Sequence, residues 1–438
     1  MRAELVTNAL FDARIADRRD PRACQKASQR GGAVVTDTYV CEACIEDDHL
    51  AEVIREHADS DAACDYCEDP DDTAAVAPLD EVIGWMRQRI HEEWCDPAEE
   101  LPYNGREGGY QGNVLDSWEM FGEIGWEPSC WALYENIVNS FTDEHWCKLD
   151  YFTMREDERL VYGWEAFSRT IKHSRRYTFW TMGDVYDEES DHPDYTPVGT
   201  FLHEVGRCIR TAGLIREIPA GEPLWRVRVH KPEETITTGR ALGSPPLKWA
   251  TQPNRMSPEG VSMFYGSQDF ETACLETVDP DRADNRPVTG GVFRPVKSLQ
   301  ILDLGARPEI PSFWAEGTRE IRMILLFLHE FRRKICQQIT RGGTQHLDYV
   351  PTQAFTEYVR FDMKTDDAPE IHGICYPSSR NGRPCYVIFA DNDQCHDPDG
   401  YPYQEQLLSL DSTTLRTIHA ADVADMNADP LDLEEDGE

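Results

Sequence analysis

Arg255, Tyr265 and Glu276 stand ten and eleven residues apart within one stretch of the chain. It runs Asn254-Arg255-Met256-Ser257-Pro258-Glu259-Gly260, then Phe264-Tyr265-Gly266, then Thr272-Ala273-Cys274-Leu275-Glu276. The Ser-Pro-x-Gly run predicts a turn. Val261–Tyr265 predicts a short strand, and residues 267–277 a helix started by Ser267 or Asp269. Phe270, Ala273 and Cys274 then face a core. A turn, a strand and a helix this close together confine the region to a mixed α+β fold.

Further short strands are predicted at Trp225–Val229, where apolar and charged residues alternate by twos, and at Gly291–Phe293, Leu299–Leu304 and Tyr386–Phe389. Upstream, helical spacing dominates. Ile83, Met86, Ile90 and Trp94 share one face over Leu79–Trp94. Phe201, Leu202, Val205, Cys208 and Ile209 share another. Helices are also predicted near Cys130–Phe141, Glu158–Ile171 and Ile321–Gln338. Acid-rich loops are predicted at Asp61–Asp72 and Gly183–Asp194.

The residue types in the opening block have a shared chemistry. An arginine fork binds phosphate or pyrophosphate. A tyrosine stacks on a flat ring. A glutamate stabilises positive charge building up on a sugar. Taken singly, each has an ordinary reading: a salt-bridging arginine, a core tyrosine, a solvated helical glutamate.

From about Leu224 to about Phe389 the chain resembles the RES domain family. Leu224-Trp225-Arg226 resembles the family's opening strand, Asn254 to Glu276 its Arg…Tyr…Glu block, and Gly373-Ile374-Cys375-Tyr376-Pro377-Ser378 its late Tyr-Pro-Ser block. The resemblance implies an ADP-ribosyltransferase-like domain of two small sheets with helices. It also implies a toxin-like enzyme that cleaves the nicotinamide–ribose bond of NAD, with water or phosphate as acceptor. By position it assigns catalysis to Glu276, Arg255, Tyr265 and Ser378, and substrate binding to Arg226, Arg255 and Tyr265. Two rivals stay open: an ADP-ribosyltransferase acting on a macromolecule, and a zinc-bearing nucleotide sensor without turnover. The front of the chain resembles the cysteine-bearing N-terminal domain attached to some RES proteins.

That front end carries Cys41-x-x-Cys44 and Cys64-x-x-Cys67, with nineteen residues between the pairs. Zinc takes four tetrahedral thiolates, and a two-residue gap lets both sulfurs of a pair reach one ion. Four cysteines leave no position open for water, so the predicted zinc is structural. Cys24 is read as a bystander.

With 81 acidic against 43 basic residues the net charge is −38. The acids are spread along the whole chain, which fits a surface adapted to high salt better than a patch for one basic partner. Such a surface disfavours nucleic-acid binding, which needs cations facing phosphates. A third rival is a ribonuclease activity in the helical middle, where Arg169 and His173 stand one helical turn apart, closer than is usual for the Arg…His pairs of nucleases. No segment is long and apolar enough for a membrane span, and the first residues lack the apolar core of a signal peptide. Single cysteines in apolar settings, Cys208, Cys274 and Cys336, read as reduced thiols in the cytoplasm.

The expected organisation is a small zinc-binding unit at 1–75, a mainly helical region at 76–220, a catalytic domain at 221–416 and an acidic tail at 417–438. Its expected partners are NAD and an antitoxin or regulatory protein, with no membrane.

Overall fold

The computed structural model describes residues 38–67, 74–141, 144–183, 195–278, 285–337, 345–363, 370–398 and 406–424. Cys24, Asp184–Asp194 and the chain beyond Ala424 lie outside them. The described chain forms two compact units. Residues up to Met154 join Ile310–Arg322 in the first, and Arg155–Glu309 joins the residues from Met323 onward in the second.

In the first unit, strands Tyr39–Cys41 and Val76–Pro78 pair antiparallel. Helix α1 (Asp48–Glu56) starts at Asp47, whose carboxylate accepts from the amides of His49 and Leu50 and so satisfies two orphan donors. Helix α2 (Leu79–Ile90) buries Ile83, Met86 and Ile90, the face predicted from spacing. The helix stops before Trp94, contrary to the expected span. Trp94-Cys95 instead pairs antiparallel with Cys147-Lys148, and a strand side chain fills the position a helical one was expected to take. Helix α3 (Ser117–Ile124) opens with a capping box between Asp116 and Glu119, and α4 (Trp131–Asn139) follows. Phe121, Ile137, Phe141, Trp146 and Trp314 close the core.

In the second unit, α5 (Glu156–His173) and α6 (Phe201–Thr211) precede the sheet. The five residues of the predicted α6 face are all buried. The strands are β1 (Ile215–Ile218), β2 (Leu224–Val229), β3 (Phe264–Ser267), β4 (Pro287–Pro295), β5 (Leu299–Asp303), β6 (Gly373–Pro377), β7 (Pro384–Ile388), β8 (Cys395–His396) and β9 (Leu408–His419). They form one nine-stranded sheet in the order β8-β9-β4-β2-β3-β7-β6-β5-β1. The two small sheets expected from the family resemblance are therefore a single mixed sheet. The pairs β5–β6 and β8–β9 are parallel and the others antiparallel. The halves are joined through β2 and β3, which share one register pair, Trp225 with Ser267. A join that short leaves no trace in the local pattern of either strand.

Helix α7 (Phe270–Thr277) packs on β2 and β4 through Phe270, Ala273 and Cys274 against Val227 and Val288. It starts later than predicted, because Ser267 belongs to β3 and Asp269 is the cap, accepting from the amide of Thr272 at 2.8 Å. Residues 261–263 likewise fall short of the predicted strand. Ser262 Oγ donates to the carbonyl of Pro245 instead. Helices α8 (Arg319–Cys336) and α9 (Val350–Phe361) carry Phe331 and Phe355 into an aromatic cluster with Trp164. Within the segment expected as tail, β9 runs to His419 and a helical turn, Ala420–Ala424, follows.

Gly373 tests the sheet interior. A Cβ there would lie 2.4 Å from the carbonyl oxygen of Val387 on β7, a rigid neighbour. Gly373→Ala should destabilise the second unit by about 2–3 kcal/mol. Thermal unfolding measures this, and a change below about 0.5 kcal/mol, the ordinary surface range, would refute the packing described.

Candidate active site and cysteine cluster

A cleft of about 1440 Å³ opens in the second unit. Arg226, Arg255, Tyr265 and Glu276 all line it. Ser378 meets it through Glu276, although 102 residues separate the two: Ser378 Oγ donates to Glu276 Oε1 at 2.5 Å.

Each side chain is placed by a distinct element. Glu276 is the penultimate residue of α7 and exposed. A carboxylate in the last turn meets the negative end of the helix dipole, where a cation would be favoured by about 0.3–1 kcal/mol. Helix stability therefore does not account for an acid at this position. Ser378 is 4% exposed and opens the turn between β6 and β7, where its amide donates to the carbonyl of Arg383. Its Oγ also accepts from the amide of Arg380, and Asn381 Nδ2 donates to Thr272 Oγ1 on α7. The turn and the helix are thus tied together by the Ser378–Glu276 and Asn381–Thr272 hydrogen bonds and by the Arg383–Glu271 ion pair.

Tyr265 lies on β3 opposite Val387. Its hydroxyl is 2.7 Å from Ser257 Oγ, and burial holds its phenol well above the usual tyrosine range. Arg255 is half-buried and donates from Nη1 to the carbonyl of Ile335 in the last turn of α8. Its own carbonyl accepts from Thr352 Oγ1 at 2.5 Å. Among the described residues no carboxylate pairs with Arg255, and its remaining donors are open to a ligand. Arg226 has a different arrangement. Nε donates to the carbonyls of Leu242 and Gly243 and Nη1 to that of Tyr265. Desolvation lowers its pKa to about 10, so it stays cationic at neutral pH. These bonds make Arg226 a clamp on the backbone of Tyr265.

The charge of the cleft is opposite to that of the chain. Five arginines line it, at 226, 228, 240, 255 and 380, with Glu276 the single acidic lining residue. The whole protein carries −38. Arg240 is paired with Asp393. Among the described residues Arg228, Arg255 and Arg380 have no carboxylate partner. Arginines left without carboxylates in so acidic a protein suit an anion such as a diphosphate.

A family profile described as RES domain matches residues 223–411. The chain carries a RES domain. A second profile, HEPN/RES N-terminal domain 1, matches residues 57–185 in front of it. The RES family is associated with NAD-degrading toxins. Neither curated proteins nor solved structures yield a match. The RES domain thus contains the whole cleft, from Trp225 to Cys385.

Several cleft residues were not singled out from the sequence. Ser257 sits inside the central block and Tyr376 inside the late one, so both were within view. Arg228 lies in the first predicted strand. Arg380 had no local signal, since its place depends on the turn after β6.

In the first unit, Cys41, Cys44, Cys64 and Cys67 come together with their sulfurs within 4.8 Å of one another. Cys67 Sγ is 3.2 Å from that of Cys41 and 3.3 Å from that of Cys44, and Cys64 is 4.0 Å from Cys44. Thiolates bound to zinc at about 2.3 Å in a tetrahedron stand roughly 3.8 Å apart, so the set fits the ion. The Tyr66 amide donates to Cys64 Sγ, and Asp65 bonds the backbone of Tyr39 from its side chain and its amide. Such outer bonds orient ligand sulfurs. Cys41 and Cys44 also belong to the unit's core. The described cysteines form no disulfide; Cys208 and Cys274 are buried and Cys336 half-buried. No helix among the described residues is long and apolar enough to cross a membrane.

Ser378→Ala should lower kcat/KM for the substrate about tenfold, the worth of one hydrogen bond of roughly 1.4 kcal/mol to a charged group. Ser378→Thr should recover part of it. Equal activity in Ser378→Ala and the wild type would remove Ser378 from the site.

Proposed function

We propose that this protein cleaves the nicotinamide–ribose bond of NAD and passes the ADP-ribosyl group to water or inorganic phosphate, so depleting NAD. The observation carrying this reading is the Glu276–Ser378 pair on the wall of an arginine-lined cleft within a RES domain.

Arg255 binds the diphosphate or an adjacent ribose through its open donors. Tyr265 flanks the nicotinamide, its hydroxyl set by Ser257 and its backbone by Arg226. As the glycosidic bond breaks, both its electrons go to the ring nitrogen, and nicotinamide leaves neutral without a general acid. The ribose becomes oxocarbenium-like, and the Glu276 carboxylate faces that charge while Ser378 holds one of its oxygens. Glu276 then takes the proton from water, or orients phosphate, at the same carbon. The cysteine cluster holds zinc as a structural ion outside this chemistry. A NAD-depleting enzyme needs restraint. RES toxins typically pair with antitoxins, and we assign this chain a partner protein of that kind.

The test is NAD consumption by the full chain at high salt, with and without phosphate, following free nicotinamide. Release of nicotinamide with loss of NAD supports the reading, and phosphate dependence names the acceptor. ADP-ribose retained on a macromolecule would point to a transferase instead. Intact NAD after incubation with well-folded protein would refute turnover.

A further inference from the structure

Trp249 stands out among the aromatic residues of the cleft. Trp225, Tyr265 and Tyr349 are half-buried and Tyr376 is buried, whereas Trp249 is 67% exposed. A single exposed apolar side chain is ordinary on a surface. This one lines a concave site and sits on a firmly held segment.

Trp249 ends a short 3-10 turn, Leu247–Trp249, that follows Pro245 and Pro246. Its amide donates to the carbonyl of Pro246 at 2.7 Å. The segment is fastened on both sides. Ser244 Oγ donates to the carbonyl of Ala390, and Ser262 Oγ to that of Pro245. After Trp249, the amide of Gly260 donates to the carbonyl of Ala250 at 2.7 Å. Two prolines and these bonds hold the backbone, so the indole is presented outward without a floppy loop to carry it. Lys248 Nζ lies 5.5 Å from the centre of the indole ring. Arg228, with no carboxylate partner among the described residues, lines the same cleft.

We propose that Trp249 is the platform on which the adenine ring of the substrate stacks. The inference rests on the NAD reading above. A nicotinamide dinucleotide carries two flat bases on either side of its diphosphate. Glu276, Ser378 and Tyr265 serve the nicotinamide end; of the other cleft aromatics Trp225 and Tyr349 are half-buried and Tyr376 is buried, so Trp249 offers the most exposed face to the second base. An exposed indole at a cationic cleft is the chemistry that a neutral purine attached to phosphate selects, since base stacking on an aromatic face needs no matching charge. Trp249 acts as a binding and specificity residue, remote from the bond that breaks.

The test compares NAD with nicotinamide mononucleotide, which has the same scissile bond and lacks the adenylate half. In Trp249→Ala the ratio of kcat/KM for NAD to that for the mononucleotide should fall about tenfold, the effect of losing one base–aromatic stack. Trp249→Phe should restore most of it. An unaltered ratio in Trp249→Ala, with circular dichroism like the wild type, overturns the platform. Equilibrium binding of AMP to wild type and Trp249→Ala separates this idea from the catalytic one, because it needs no turnover. AMP binding weakened about tenfold by the substitution supports the platform even if NAD stays intact in the wild type, an outcome that would refute only the catalytic reading. AMP bound equally by both proteins, or by neither, refutes the platform even where NAD is consumed.

Discussion

Glu276→Gln should lower kcat/KM for NAD by about three orders of magnitude while leaving the fold unchanged. A group aimed at charge that develops only in the transition state is worth about that much when removed. Glutamine keeps the length of the side chain and can still accept from Ser378, so the loss isolates the carboxylate charge. Glu276 is exposed and its neighbours Cys274 and Leu275 supply the packing of α7, so unfolding temperature should change little. Nicotinamide release, measured beside thermal unfolding, separates the two effects. Activity within tenfold of the wild type would show that the charge is not used. A large fall in unfolding temperature would show that the helix depends on the carboxylate charge for its position.

Removing the zinc proposed for the cysteine cluster should unfold part of the first unit and spare the second. The four cysteines enter the first unit's core from two segments, and Cys44 and Cys67 are separated by 3.3 Å between sulfurs. Without an ion, thiolates at that distance repel, and thiols pack poorly. Structural zinc supplies about 10 kcal/mol or more to isolated fingers. The first unit has further packing from Phe121, Phe141 and Trp146. Cys44→Ser should therefore cost several kcal/mol rather than all order, lowering the first unit's transition by about 10 °C or more. Elemental analysis should find one zinc per wild-type chain and less than half that in the variant. Wild-type protein without metal, and indifferent to a strong chelator, would exclude the ion.

The two sites differ in how much of each is written in the local sequence. The cysteine pairs are a local code: each two-residue gap already places two sulfurs within reach of one ion. Only the meeting of the pairs needed folding, and the bonds between Asp65 and Tyr39 tie the two segments together. The helices α2 and α6 were legible for a similar reason, since spacing along a helix maps directly onto one buried face. Prediction faltered at ends. The last turn expected in α2 went to a strand whose partner, Cys147-Lys148, lies some fifty residues on. The strand at 261–265 lost its first half to a side-chain bond with Pro245.

Residue types and their order were enough to name the block from Arg255 to Glu276, the Tyr-Pro-Ser segment, the cysteine pairs and the α+β character of the chain. These depend on interactions within a few residues or on a composition that any fold would inherit. The tertiary structure decided that one sheet of nine strands replaces two small ones, because the join is the single pair of Trp225 with Ser267. It also decided that Ser378 meets Glu276 and that Arg226 clamps Tyr265, whereas Arg255 and Arg380 are left without carboxylates. Those outcomes depend on which distant segments pack together, and neither alternation nor helical spacing carries that information.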